Sequence, residues 1–434
     1  MKWSKYNYLF HSSKYGWLLY NSISNTFLKI EDDMLNTISK MKEQGDIEKL
    51  SLDSDTYLLL RFYNFIVSDE EEKAFLNMTK LLRYQNNFNS LRMSLTIAPT
   101  RDCNFNCIYC YEKSRPPIYM DKDVEDNIIK FVKNSGVRYL FVTWYGGEPL
   151  LAFDTIKSLT QKILNLNIGF EALLVTNGYL LTEDKIKLLS SLKIKKMQIT
   201  LDGLKNIHDK RRPLKGGKGT FDKIVKNIDN LLPNWNGRLS IRVNVDRSNK
   251  KDFIEIYNWL TNRYEKYLDN IHIYPGIVHD NNQINPTLSC FKNRDEEAEF
   301  LIEVYKTGKV NRLSFYPQKF IGTCIALNRN GFLIDPEGKV YKCWEDIGME
   351  EYVVGNVDLK QPWNNQLIAK YMIEGSYLED KECDECFFFP ICDGGCPRIR
   401  IMLGRERKER LCSRFRNYLD KFLEIHYEKK LEKN

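Results

Sequence analysis

Short apolar runs alternating with longer amphipathic stretches organise the middle of the chain. Ser94–Ala98, Tyr139–Val142, Ala172–Thr176, Met197–Leu201, Leu239–Val245 and Ile271–Tyr274 are rich in β-branched and aromatic residues and predict six strands. Between them, Asp121–Lys133, Asp154–Leu166, Thr182–Leu192, Thr220–Leu232 and Lys251–Tyr264 carry apolar residues at helical spacing. Strand–helix alternation of this kind predicts an α/β fold with a parallel sheet and outer helices. Six such units suggest a partial (β/α)6, TIM-like barrel.

The flanks follow other patterns. Leu18–Ile30 predicts two short strands joined by an Asn/Ser turn, Met34–Gln44 and Ser54–Phe62 predict helices, and Asn64–Val67 predicts an extended piece. Asp69–Lys73 is a charged run expected to form a solvated linker edge. Leu411–Leu431 predicts one terminal amphipathic helix that packs rather than binds a partner. The expected domains are 1–90, 91–310 and 311–434, which suits a chain of 434 residues.

Distinctive residues gather at the C-terminal ends of the expected strands, the face on which parallel α/β barrels carry their chemistry. Cys103, Cys107 and Cys110 follow the first strand with C-x3-C-x2-C spacing. Three thiolates so placed can hold one cubane iron–sulfur cluster and leave an iron without a protein ligand. Zinc with a fourth ligand elsewhere, or buried thiols that ligate nothing, are the alternatives from spacing alone. After the second strand comes Thr143-Trp-Tyr-Gly-Gly-Glu-Pro149, where paired glycines allow close approach of backbone to a ligand or form an ordinary turn. Asn177, Thr200, Asp202 and Asn244, at later strand ends, are candidates for ribose or carboxylate contacts; each also suits a turn or cap.

Composition narrows the setting. Hydrophobic content of 43% and charged content of 28% are globular values. The net charge of +7 is spread along the chain, so nucleic acid is not an expected partner, although an acidic peptide is compatible with it. The start is more polar than is expected of a signal peptide and no apolar run reaches membrane-spanning length, so a cytoplasmic protein is expected. Eleven cysteines in that setting point to metal or redox use rather than disulfides.

Seven of those cysteines form an ordered C-terminal array. Cys324, thirteen residues, then Gly338-Lys-Val-Tyr-Lys-Cys343 are followed by Cys383-x2-Cys386-x5-Cys392-x3-Cys396 and by Cys412. The close quartet alone suits iron and zinc equally. Taken together, the first cysteine motif and Gly146-Gly147-Glu148-Pro149 resemble the radical S-adenosylmethionine (radical SAM) enzymes, and the array resembles their SPASM extension, over roughly residues 94 to 412. The resemblance implies that Cys103, Cys107 and Cys110 hold the [4Fe–4S] cluster that cleaves SAM. It implies that Gly146, Gly147 and Glu148 receive the methionyl amino group and that Tyr109 lies near the adenine. Two auxiliary [4Fe–4S] clusters are implied, one on Cys324, Cys343 and Cys396 and one on Cys383, Cys386, Cys392 and Cys412, making three in all.

Cys290 stands outside both motifs. It reaches the first auxiliary cluster, or that cluster keeps an open iron that could take a substrate thiolate, or Cys290 is a buried thiol. The first ninety residues resemble the winged-helix-type domains of ribosomal-peptide maturases, which add a leader peptide to a sheet edge; a plain structural cap on the barrel is the alternative. The implied activity is hydrogen abstraction from a precursor peptide by a 5′-deoxyadenosyl radical, installing a thioether or carbon–carbon crosslink, with flavodoxin or ferredoxin as electron donor. Formylglycine formation on sulfatases is the alternative within the family, and a zinc scaffold the alternative outside enzymes. Sulfatase maturases carry an acid directly after the second SPASM cysteine; here Trp344 stands there, followed by Glu345 and Asp346, either of which could be a base or a loop charge.

Overall fold

The structure is a computed structural model that describes residues 1–44, 54–112, 115–279, 289–308, 310, 313, 315–320, 322, 324–403 and 408–432. Its N-terminal part comprises β1 (Lys2–Trp3), β2 (Asn7–Ser12), β3 (Gly16–Asn21), β4 (Thr26–Ile30), α1 (Asp32–Gln44), α2 (Ser54–Phe62), β5 (Ile66–Val67) and α3 (Asp69–Asn87). The strands β2, β3 and β4 form an antiparallel sheet, one strand more than the alternation predicts, while β5 pairs with β1.

The charged run Asp69–Lys73 is not a linker edge. It is the first turn of α3, opened by a capping box in which Ser68 and Glu71 each accept from the other's backbone. Four acids in that turn complement the helix dipole, and buried Glu72 accepts from Lys2, from the Ser4 hydroxyl and from the Lys5 amide.

The central strands are β6 (Arg92–Ile97), β7 (Tyr139–Trp144), β8 (Gly169–Thr176), β9 (Ile194–Thr200), β10 (Arg238–Val245) and β11 (Ile271–Ile277). They are all parallel and lie side by side in chain order, each joined to the next by a crossover connection. The helices between and after them are α4 (Lys122–Asn134), α5 (Phe153–Leu164), α6 (Glu183–Leu188), α7 (Lys205–Arg211), α8 (Phe221–Asn234), α9 (Phe253–Arg263) and α10 (Arg294–Gly308). Along β7, Leu140, Val142 and Trp144 are fully buried, the two-residue period of a strand whose inward face meets the core.

The sheet does not stop at β6. A strand of the C-terminal region, β12 (Gly331–Ile334), adds to it in parallel, followed by antiparallel β13 (Lys339–Tyr341) and β14 (Gly355–Asn356). The N-terminal sheet also packs on C-terminal elements: Phe10, Leu18 and Tyr20 share a core with Ile391, Leu419 and Leu423. The expected helix over Leu411–Leu431 is interrupted. A turn, Lys408–Leu411, is separated from the terminal helix, Leu419–Leu431, where the Ser413 hydroxyl accepts from the Phe415 amide at 3.3 Å and competes with helical bonding. Among the described residues no helix is long and apolar enough to cross a membrane.

Candidate active site

Cys103, Cys107 and Cys110 lie on the loop that leaves β6. The loop is pinned by the segment after α7: the Asn106 amide donates to the Pro213 carbonyl at 2.8 Å, the Ile108 amide to Arg211 at 3.1 Å, and the Lys215 amide to Asn104 at 2.9 Å. On the other side Arg101 reaches Glu337, in the turn between β12 and β13, at 2.8 Å. All three cysteines border one cavity of about 380 Å³ at the C-terminal ends of the strands. Burial pushes each thiol up, Cys110 to about 12, and neighbouring Glu148 and Glu112 add to this at Cys103 and Cys110. Thiols held this far from ionisation become thiolates when a metal binds them.

The Gly-Gly turn is built against the cysteine loop. A Cβ on Gly147 would stand 2.2 Å from the Asp102 carbonyl oxygen, and one on Gly146, whose φ is +112°, 2.3 Å from that of Thr100. The Gly147 and Glu148 amides donate to those same carbonyls, of Thr100 and Asp102, at 3.2 and 2.8 Å. Both glycines border the cavity; Glu148 does not. Its fully buried carboxylate accepts from the Leu150 amide at 3.0 Å, the Thr176 hydroxyl at 2.6 Å and the Asn177 amide at 2.7 Å. It therefore ties the second strand end to the third.

The remaining expected positions divide. Tyr109, Asn177, Thr200 and Asn244 border the cavity. The Tyr109 hydroxyl accepts from Arg212 at 2.6 Å and from the Asn244 side chain at 2.8 Å. Asp202 lies behind the wall: it pairs with Arg211 at 3.3 Å and accepts from the Asn244 amide. Arg212 has no counterpart among the expectations. Its guanidinium is buried beside Cys107, lines the cavity, and leaves Nε without a partner. Nothing in the run Arg211-Arg212 distinguished it from a solvated basic pair, because burial depends on how the loop after α7 returns over the barrel.

The far wall comes from the C-terminal region. Trp344 and Glu345 border the cavity, and Trp344 packs on Tyr145 with ring centroids 4.6 Å apart. Asp346 is fully buried and engaged by Arg398 at 2.7 Å and by the Tyr371 hydroxyl, so of the two acids only Glu345 faces the cavity. Glu112, also on the wall, is buried and pushed up to about 7 by desolvation, against the pull of Arg115 and Arg101.

The C-terminal cysteines fall into two neighbourhoods. Cys343 feels both Cys324 and Cys396, whereas Cys392 feels Cys386 and Cys383. Arg416 donates to Cys412 Sγ at 3.1 Å and also feels Cys386. Cys290 lies half-buried between Ser289, whose carbonyl accepts from the Arg247 amide, and core residue Phe291. No two of the eleven cysteines form a disulfide. Among the described residues no three His, Cys, Asp or Glu side chains converge on a single metal ion. A cubane, which takes each thiolate on a different iron, calls for wider spacing than one ion does.

Residues 97–260 match the family model described as the Radical SAM superfamily. The chain carries a radical SAM domain. Such a domain implies SAM and a [4Fe–4S] cluster, and the chain is an enzyme. Over 335 residues it is 24% identical to the cysteine-type anaerobic sulfatase-maturating enzyme of Clostridium perfringens, covering 71% of this chain and 90% of that protein. It is 22% identical to the serine-type enzyme of Bacteroides thetaiotaomicron, covering 69% and 81%. Among solved structures, native anSMEcpe with bound AdoMet and Cp18Cys peptide superposes with a TM-score of 0.58 at 22% identity, covering 79% of this chain and 98% of that one. Streptococcus suis SuiB bound to precursor peptide SuiA gives 0.52 at 15% identity, covering 94% and 98%. The structural likeness shows the α/β fold with its mostly parallel sheet.

Proposed function

We propose that this radical SAM enzyme is a peptide or protein maturase. The observation that carries the reading is a single cavity bordered by three cysteine thiols, an incompletely paired buried arginine, and a C-terminal wall of Trp344 and Glu345. The donor set fits the cofactors. Cys103, Cys107 and Cys110 would hold the cluster, and the unpaired Nε of Arg212 suits a carboxylate such as that of SAM. Bound there, SAM supplies the 5′-deoxyadenosyl radical. Tyr109, Asn177, Thr200 and Asn244 orient the nucleoside, Gly146 and Gly147 offer backbone to the amino group, and Glu148 braces the turn that presents them. Trp344 and Tyr145 exclude water from the side on which the target residue must lie.

In this reading Cys324, Cys343 and Cys396 hold one auxiliary cluster and Cys383, Cys386, Cys392 and Cys412 the other, giving three clusters. The substrate is a precursor peptide whose leader docks on the N-terminal sheet, in a cytoplasmic setting with flavodoxin or ferredoxin as reductant. The outcome is a thioether or carbon–carbon crosslink, a reading supported by Trp344 in the place of the sulfatase maturases' acid. Formylglycine formation is supported by the sulfatase-maturating relatives and by Glu345, which faces the same cavity.

The test incubates reduced, reconstituted enzyme with SAM and a cysteine-containing sulfatase peptide, reading 5′-deoxyadenosine and peptide mass. A hydrazide-reactive aldehyde supports formylglycine formation. A product that loses two hydrogens and keeps its sulfur supports crosslinking. Full 5′-deoxyadenosine formation by Cys107→Ala sinks the cluster assignment.

A further inference from the structure

Arg83 is 1% exposed and lies on α3, 309 residues before Cys392. One terminal nitrogen donates to the carbonyls of Phe389 at 3.0 Å, Pro390 at 3.2 Å and Cys392 at 3.1 Å, and Nε donates to Phe320 at 3.2 Å. The guanidinium faces the rings of Phe389 and Tyr377 at 4.9 and 5.2 Å. Its other terminal nitrogen is buried without a partner.

Among the described residues no carboxylate lies within ion-pair distance of Arg83. Asp384, on the same cysteine-bearing segment, pairs instead with Lys80, one turn earlier on α3, at 2.6 Å. Carbonyls and ring faces solvate a cation but do not neutralise it, and an uncompensated buried charge is strongly destabilising. Cys392 is itself half-buried, with Cys383 and Cys386 beside it. Four thiolates on a four-iron cubane leave a net negative charge, and net charge and nearby dipoles set its potential.

We infer that Arg83 is a buried counter-charge of the second cysteine group, additional to Arg416 on Cys412, holding the Phe389–Cys392 turn and raising the reduction potential of the cluster bound there. The inference rests on the assignment of Cys383, Cys386, Cys392 and Cys412 to an auxiliary cluster. It makes α3, which belongs to the N-terminal part, a component of that cluster's electrostatic environment.

The test uses the full chain with Cys103, Cys107 and Cys110 changed to Ala, so that only auxiliary clusters contribute. Arg83→Met and Arg83→Lys are compared by iron content and by potentiometric titration followed by electron paramagnetic resonance. With the parent at about eight irons per chain, Arg83→Met shifts one auxiliary signal to lower potential, or loses about half the iron, whereas Arg83→Lys keeps both. Met and Lys variants that behave alike overturn the inference, whether both keep the parental potential or both lose iron. Zinc in place of iron in the parent overturns the cluster assignment together with it.

Discussion

Removing the Arg212 fork gives a direct measure of what the barrel does for SAM. Arg212 borders the cavity, spends one terminal nitrogen on the Tyr109 hydroxyl at 2.6 Å and keeps a buried Nε unpaired. A hydrogen bond between a charged donor and a charged acceptor contributes about 1.5–3 kcal/mol. Loss of that interaction in Arg212→Gln therefore weakens SAM by roughly 10- to 150-fold. Arg212→Lys keeps the charge but not the planar fork and falls between the two. The assay is equilibrium SAM binding to anaerobic, reconstituted protein, with iron counted in each variant so that cluster loss is not mistaken for ligand loss. An affinity within about twofold of wild type at full iron content would refute the assignment and return Arg212 to a purely structural pairing with Tyr109.

Four further outcomes are expected. Reconstituted protein carries about twelve irons per chain, falling to about eight when Cys103, Cys107 and Cys110 are all Ala. Gly147→Ala drives a methyl onto the Asp102 backbone, which cannot swing aside as a side chain would; a loss of at least about 1–3 kcal/mol should appear as a lower Tm, and an unchanged Tm contradicts the close approach. His208 is fully buried, its Nδ1 accepting from the Asp202 amide and its Nε2 bonded with the Thr220 hydroxyl, and burial lowers it from 6.5 to about 3. Its neutral form favours the fold, so this contribution is complete above about pH 6.5 and is lost as pH falls towards about 3; His208→Asn should melt lower at neutral pH but show a flatter decline on acidification. Leu18→Ala should cost about 2–5 kcal/mol by chemical denaturation, because Leu18 is fully buried in a core shared with Ile391, Leu419 and Leu423.

The strands of the barrel were legible because each is a short apolar run bounded by turn residues, and helices α4, α5, α8 and α9 because their apolar stripes are wide. Helices α3, α7 and α10 were not. The first is announced by Ser68 and Glu71 in a capping box that reads equally as part of a charged linker. The short α7 buries His208 and Arg211, polar residues that periodicity discounts. The three thiols and the glycine pair were legible as motifs. Arg212, Glu112 and the inward turn of Glu345 were not, since each depends on packing between segments distant in sequence. Asp202 shows the converse: its position at a strand end marked it for the cavity, and the neighbouring Arg211 drew it into an ion pair instead.

The parallel seating of β12 against β6 has a consequence for biosynthesis. The loop with Cys103, Cys107 and Cys110 leaves β6, the strand whose free edge is closed only when Gly331–Ile334 arrives. Domains form from the N-terminus as the ribosome proceeds at about 5–20 residues per second, so the six strands β6 to β11 wait roughly 3–11 seconds for β12 with that edge bare. An unpaired strand edge invites association with other chains. The same interval leaves the thiol-bearing loop without the Arg101–Glu337 tether and without Trp344 and Glu345 over the cavity. Iron delivery during translation would thus meet an uncovered site, whereas delivery afterwards must pass a finished wall.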